Sequence, residues 1–82
     1  MPRTEPALVT VFTGQGCHLC EAALDVIEAV RADVPFTLEI VDITSDEDLE
    51  ARYRESIPVI EIDGKRAFTY YVTAEGLRAA LD

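Results

Sequence analysis

Gly16-Cys17-His18-Leu19-Cys20-Glu21 is the stretch that decides how this 82-residue chain is read. It holds both cysteines, three residues apart, after an apolar run that ends near Phe12 and before a segment of helical periodicity. Residues three apart on the first turn of a helix face the same way. Two sulfurs there can meet at the Cα separation of roughly 5.5 Å that a disulfide needs. The first cysteine also lies beside the unpaired N–H groups of the helix start, which favour a thiolate over a thiol. Cys17 is therefore the expected nucleophile and Cys20 the resolving thiol. Two other readings stand beside this one: a pair of inert core cysteines, or half of a zinc site. Zinc normally takes four ligands, and beyond the two thiols the chain offers His18 alone, inside the same tetrapeptide, so no metal is expected in a single chain.

Outward from the motif, positions 7–13 are nearly continuous in apolar β-formers, as a buried strand should be. Thr13-Gly14-Gln15-Gly16 interrupts the run. From 17 to about 32, Leu19, Ala23, Val26, Ile27 and Val30 recur at helical spacing, with Glu21, Asp25 and Glu28 free to face water. Pro35 stops the helix, and 36–43 reads as a second interior strand carrying Phe36, Leu38, Ile40, Val41 and Ile43. Thr44 and Ser45 then offer a hydroxyl cap, followed by the carboxylates of Asp46, Glu47 and Asp48, to a helix running to Arg54 or Glu55. Its mixed charges read as a solvated face.

A strand at 56–62 follows, and Asp63-Gly64 supplies the positive φ angles of a tight hairpin, with 65–72 as the returning strand. In a regular strand Tyr70 and Tyr71 would point to opposite faces, one to the core and one to solvent. Thr73 caps a last helix with Ala74, Leu77, Ala80 and Leu81 on one face, weakened by Gly76 at a cost of about 1 kcal/mol. The order β-α-β-α-β-β-α predicts an α/β fold: a right-handed βαβ unit and a hairpin joined into a four-stranded mixed sheet, with helices on both faces.

Length and composition bound the function. Eighty-two residues, 49% of them hydrophobic, make a single domain over 1–82 with one core and little room for a second site. A formal net charge of -9 repels phosphate backbones and anionic lipid, which argues against nucleic acid and membrane as partners. The N-terminal residues contain no signal-peptide core and no stretch reaches the length of a membrane span, so the cytoplasm is the expected location. In that reducing compartment two cysteines at this spacing are more often catalytic than structural. A monomer is expected.

The C-x-x-C after the first strand, together with Ile57-Pro58 opening the third, resembles the glutaredoxin branch of the thioredoxin superfamily over nearly the whole chain. Gly16-Cys17-His18-Leu19-Cys20-Glu21, Val41-Asp42-Ile43 and Ile57-Pro58-Val59 look, more narrowly, like a group of small glutaredoxin-like bacterial proteins. The resemblance implies a thioredoxin/glutaredoxin-like fold. It further implies a cis proline at Pro58 lying against the disulfide, which leaves the backbone of Ile57 to pair with a bound peptide or glutathione. A trans proline opening an edge strand is the other reading of those residues.

The chain departs from the family pattern at three places. Glutathione-using members carry a lysine shortly before the first cysteine; here the stretch is Thr13-Gly14-Gln15-Gly16. They carry a Gly-Gly-x-x-Asp type of turn after the last strand, where this chain has Tyr70-Tyr71-Val72-Thr73-Ala74-Glu75. His18-Leu19 replaces the Pro-Tyr between the cysteines. A protonated His18 would favour the Cys17 thiolate, with Glu21 and Asp25 opposing it; the alternative is a solvent-facing imidazole. Leu19 is expected to pack or to join an apolar docking rim.

The expected activity is thiol-disulfide exchange on protein or small-molecule disulfides, with no bound cofactor and with glutathione or a reductase as electron donor. The rival reading is a non-catalytic protein-binding module whose cysteine pair acts as a redox switch.

Overall fold

The structure is a computed structural model that describes residues 6–81. The signal-peptide reading falls largely on residues 1–5, which lie outside the described residues, as does Asp82. The apolar run after Ala7 forms β1 (Leu8–Thr13), and it is apolar on both faces because it has cover on both. β1 pairs in parallel with β2 (Thr37–Asp42) and antiparallel with β3 (Val59–Ile62), which pairs with β4 (Lys65–Thr69). The sheet order is β2-β1-β3-β4.

Strand alternation sends side chains to two separate cores. On one face Val9, Val11 and Ile60 pack with Ile27 and Val30 of α1 (His18–Arg31) and with Leu77 of α3 (Ala74–Leu81). On the other, Phe12 and Val59 pack with Ile43 of a single 3-10 turn (Ile43–Ser45) and with Tyr53 of α2 (Glu47–Tyr53). The Phe12 and Tyr53 rings stack at 4.4 Å between centroids. The chain is thus the expected β-α-β-α-β-β-α with helices on both faces. Among the described residues no helix is long and apolar enough to cross a membrane.

Several local readings are corrected. β2 is an edge strand, since β1 is its one neighbour and pairs on its other side with β3, and Ile40 is left 53% exposed. The cap of α2 is Asp46, whose carboxylate accepts from the amides of Asp48 (2.8 Å) and Leu49 (3.2 Å). Thr44 and Ser45 are drawn instead into the 3-10 turn, where Asp42 accepts from the Thr44 amide (2.9 Å) and hydroxyl (2.6 Å). Those two donors, the hydroxyl first, hold the Asp42 carboxyl below its ordinary value.

The hairpin has positive φ at Asp63 (52°) and Gly64 (84°), as its turn requires. Asp63 also extends the sheet bonding by donating its amide to the Leu8 carbonyl (2.8 Å) and accepting the Leu8 amide (3.0 Å). In α3 Leu77 and Leu81 are buried, whereas Ala74 and Ala80 face solvent.

Gly76 has a packing reason. Its amide donates to the capping Thr73 hydroxyl at 3.0 Å, and a methyl group built there would lie 2.9 Å from that oxygen and 3.3 Å from Phe68 Cε1. Gly76→Ala gains about 1 kcal/mol of helix propensity. It also displaces a cap bond worth about 1 kcal/mol and a core ring. We expect G76A to unfold at lower urea than wild type, by about 0.5 kcal/mol; a more stable variant would contradict the packing argument.

Asp42 sets a second expectation. A carboxyl with a lowered folded pKa adds stability above its unfolded pKa and loses it as pH falls through the folded value. The stability gap between wild type and Asp42→Ala should be flat from neutrality to about pH 5 and shrink below about pH 4. A gap unchanged at low pH would refute the carboxylate's role.

Candidate functional site

β1 ends at one edge of the core, and the chain turns through Gly16, at φ +70°, into Cys17. Cys17 is the N-cap of α1, with extended backbone (φ -95°, ψ 102°). This position usually carries a hydroxyl or carboxylate that accepts a helix-start amide. Here a sulfur does so: Cys17 Sγ accepts from the Cys20 amide at 3.1 Å. Cys17 and Cys20 form a disulfide with a Cα separation of 5.2 Å. The two sulfur-bearing residues differ in access, Cys17 being half-buried and Cys20 only 2% exposed. An incoming group reaches the first cysteine and not the second.

The second part of the site arrives through sheet register. Phe12 lies opposite Val59, so the end of β1 and the start of β3 are neighbours, and the residue before Val59 is Pro58. The Ile57-Pro58 peptide bond is cis, Pro58 is buried and Ile57 is half-buried. Ile57 packs against the loop that leads into Cys17: a methyl group built on Gly14 would lie 2.8 Å from Ile57 Cδ1. Among the described residues the Ile57 amide and carbonyl make no hydrogen bond.

His18 stands at the first position of α1, and its ring is 96% exposed. Its partner is Glu21, Nδ1 to Oε2 at 3.8 Å, one turn along the helix. Leu19 is 37% exposed at the rim of a groove of about 140 Å³ that it shares with Ala22, Val26, Tyr70 and Tyr71. Among the described residues no three His, Cys, Asp or Glu side chains are grouped so as to hold a metal ion.

The third part was not read from the sequence. β4 ends at Thr69 and does not continue to 72, because Tyr70 turns left-handed at φ +67°. The expected division of the two tyrosines between core and solvent fails with it: Tyr70 is 41% and Tyr71 71% exposed. A left-handed non-glycine costs roughly 1–3 kcal/mol. The kink is held by the Tyr70 amide donating to the Pro58 carbonyl (2.8 Å) and the phenol donating to the Glu55 carbonyl (2.6 Å). Tyrosine carries no sequence signal for such a turn, and Gly14 gives no sign of which side chain needs its room.

Comparison with known proteins bears on the family and the fold. The family model described as glutaredoxin-like domain (DUF836) matches residues 8–82. A glutaredoxin-like protein of Dictyostelium discoideum, described as a YDR286C homolog, is 32% identical over 75 residues, covering 84% of this chain and 69% of its own. Among solved structures, protein Ne2328 of Nitrosomonas europaea superposes with a TM-score of 0.81 at 26% identity, over 100% of this chain and 99% of its own. Protein XcR50 of X. campestris does so with a TM-score of 0.75 at 31% identity, over 90% and 95%. Fasciola hepatica thioredoxin, at 23% identity and a TM-score of 0.66 over 93% and 78%, shares the fold. With a cysteine pair capping the helix after β1, a mixed four-stranded sheet behind it and the family model matched from 8 to 82, this chain belongs to the glutaredoxin-like domain (DUF836) family and has the thioredoxin fold.

Proposed function

We propose that the chain is a thiol-disulfide oxidoreductase with Cys17 as nucleophile and Cys20 as resolving thiol. The observation that carries this reading is the use of Cys17 Sγ as the cap of α1, with Cys20 buried behind it. A thiolate at the cap accepts the Cys20 amide and faces the positive end of the helix dipole. In the reduced protein the Cys17 thiolate attacks one sulfur of a substrate disulfide, forming a mixed disulfide and releasing the first substrate thiol. Cys20, as thiolate, then attacks Cys17 Sγ, closes the Cys17–Cys20 bond and releases the second. The substrate gains two electrons and two protons, and the protein loses them.

Ile57, with backbone groups unbonded among the described residues and Pro58 beside it, is the edge to which an extended peptide substrate would pair. Electrons return from a reductase or from glutathione in the cytoplasm, with no bound cofactor. The residues through which the family grips glutathione are replaced here, at Thr13-Gly14-Gln15-Gly16 and at Tyr70-Tyr71, which favours the reductase. The exposed His18 would tune the thiolate only at a distance, since its ring lies by Glu21.

Turnover of a disulfide substrate, coupled separately to glutathione with its reductase and to a thioredoxin-reductase system, tests the reading. Cys17→Ser should lower the rate at least about a hundredfold. Cys20→Ser should accumulate a Cys17 mixed disulfide visible by mass spectrometry. No turnover in either system, with partner binding intact in C17S, would leave the binding-module reading in its place.

Alkylation of the reduced protein against pH gives a separate check. Cys17 should titrate well below the ~8.5 of a free cysteine. A midpoint at that ordinary value would remove the capping argument.

A further inference from the structure

Tyr70 combines a disfavoured backbone with an unusually placed side chain. It is left-handed at φ +67° without being glycine, and such outliers persist only where the surroundings hold them. Its two bonds go to a single segment. The amide reaches the Pro58 carbonyl at 2.8 Å and the phenol reaches the Glu55 carbonyl at 2.6 Å, so both ends of residues 55–58 are fastened to one residue. Inside that span the Ser56 amide donates back to Tyr53 at 2.8 Å, and Ile57 is backed by Gly14. Ile57 is then the residue of the span whose backbone is both unbonded, among the described residues, and held in place from two sides.

We propose that Tyr70 is a positioning residue that clamps the 55–58 segment beside the cysteine pair, so that a polypeptide disulfide meets an edge already in its binding conformation. The inference rests on the oxidoreductase reading and adds the substrate class: extended polypeptide disulfides over small ones. A preset edge lowers the ordering cost of binding and leaves the sulfur chemistry at Cys17 untouched. The same kink turns Tyr71 outward, 71% exposed, to share the groove with Leu19. Aromatic and aliphatic side chains flanking a substrate cysteine find contact there.

Tyr70→Phe removes the phenol hydroxyl and keeps the ring and the backbone. Two disulfides serve as probes: a synthetic extended peptide dimer joined by one disulfide, and 5,5'-dithiobis(2-nitrobenzoic acid), which has no peptide edge. For the peptide, Y70F should raise KM about three- to tenfold, the span expected for one lost hydrogen bond, with kcat within about twofold. The ratio of kcat/KM for the peptide to that for the small disulfide should therefore fall about three- to tenfold in Y70F. Amide hydrogen exchange at Ser56 should quicken in Y70F while the Asp63 amide, on the distant hairpin, keeps its wild-type rate.

An active wild type whose Y70F variant keeps the peptide KM, or loses both substrates equally, overturns the inference alone. A wild type inert toward both disulfides overturns the oxidoreductase reading and the inference with it.

Discussion

Phe12 sits opposite Val59 in the antiparallel ladder, and that pairing brings the two ends of the site together. β1 runs toward the cysteine loop while β3 starts from Pro58, so the register decides which residue stands beside the loop into Cys17. A slip of one residue would reverse every side chain of β3 as well as move Pro58. Burial opposes the slip, because Ile60 fills the core under α1 and α3 while Val59 fills the one under the 3-10 turn and α2. With both faces of β3 covered by different partners, the geometry at the cysteines is set by packing some distance away.

Three loops then converge at that end of the sheet, each braced by a different device. The cysteine loop is braced by its sulfur, which closes the helix start in place of an oxygen. The Ile57-Pro58 loop is braced sterically, by a glycine that admits Ile57 Cδ1. The loop after β4 is braced by the two hydrogen bonds of Tyr70, offsetting a backbone conformation that tyrosine disfavours. A domain of 82 residues has little core to spare for holding loops, and these local ties do that work where burial cannot.

Features that depend on neighbours in sequence were legible. The Cys17–Cys20 spacing, the Asp63-Gly64 turn, the Thr73 cap and the order of elements follow from periodicity and from residues a few positions apart. The edge position of β2 was not legible, since Leu38, Ile40 and Val41 read the same whether one neighbour strand or two lie beside them. Asp46 displaced Thr44 as the cap of α2 because Asp42 claimed Thr44 first, a competition among several adjacent candidates that no single pattern ranks.

The fold class, the cysteine pair and the helix start that holds it are legible without the fold, because each is written in local spacing and apolar period. What surrounds that pair comes from folding: Gly14 against Ile57, and Tyr70 across to Glu55 and Pro58. Those contacts join residues far apart in the chain, and a left-handed tyrosine exists only because the folded neighbours on either side supply the two carbonyls that hold it.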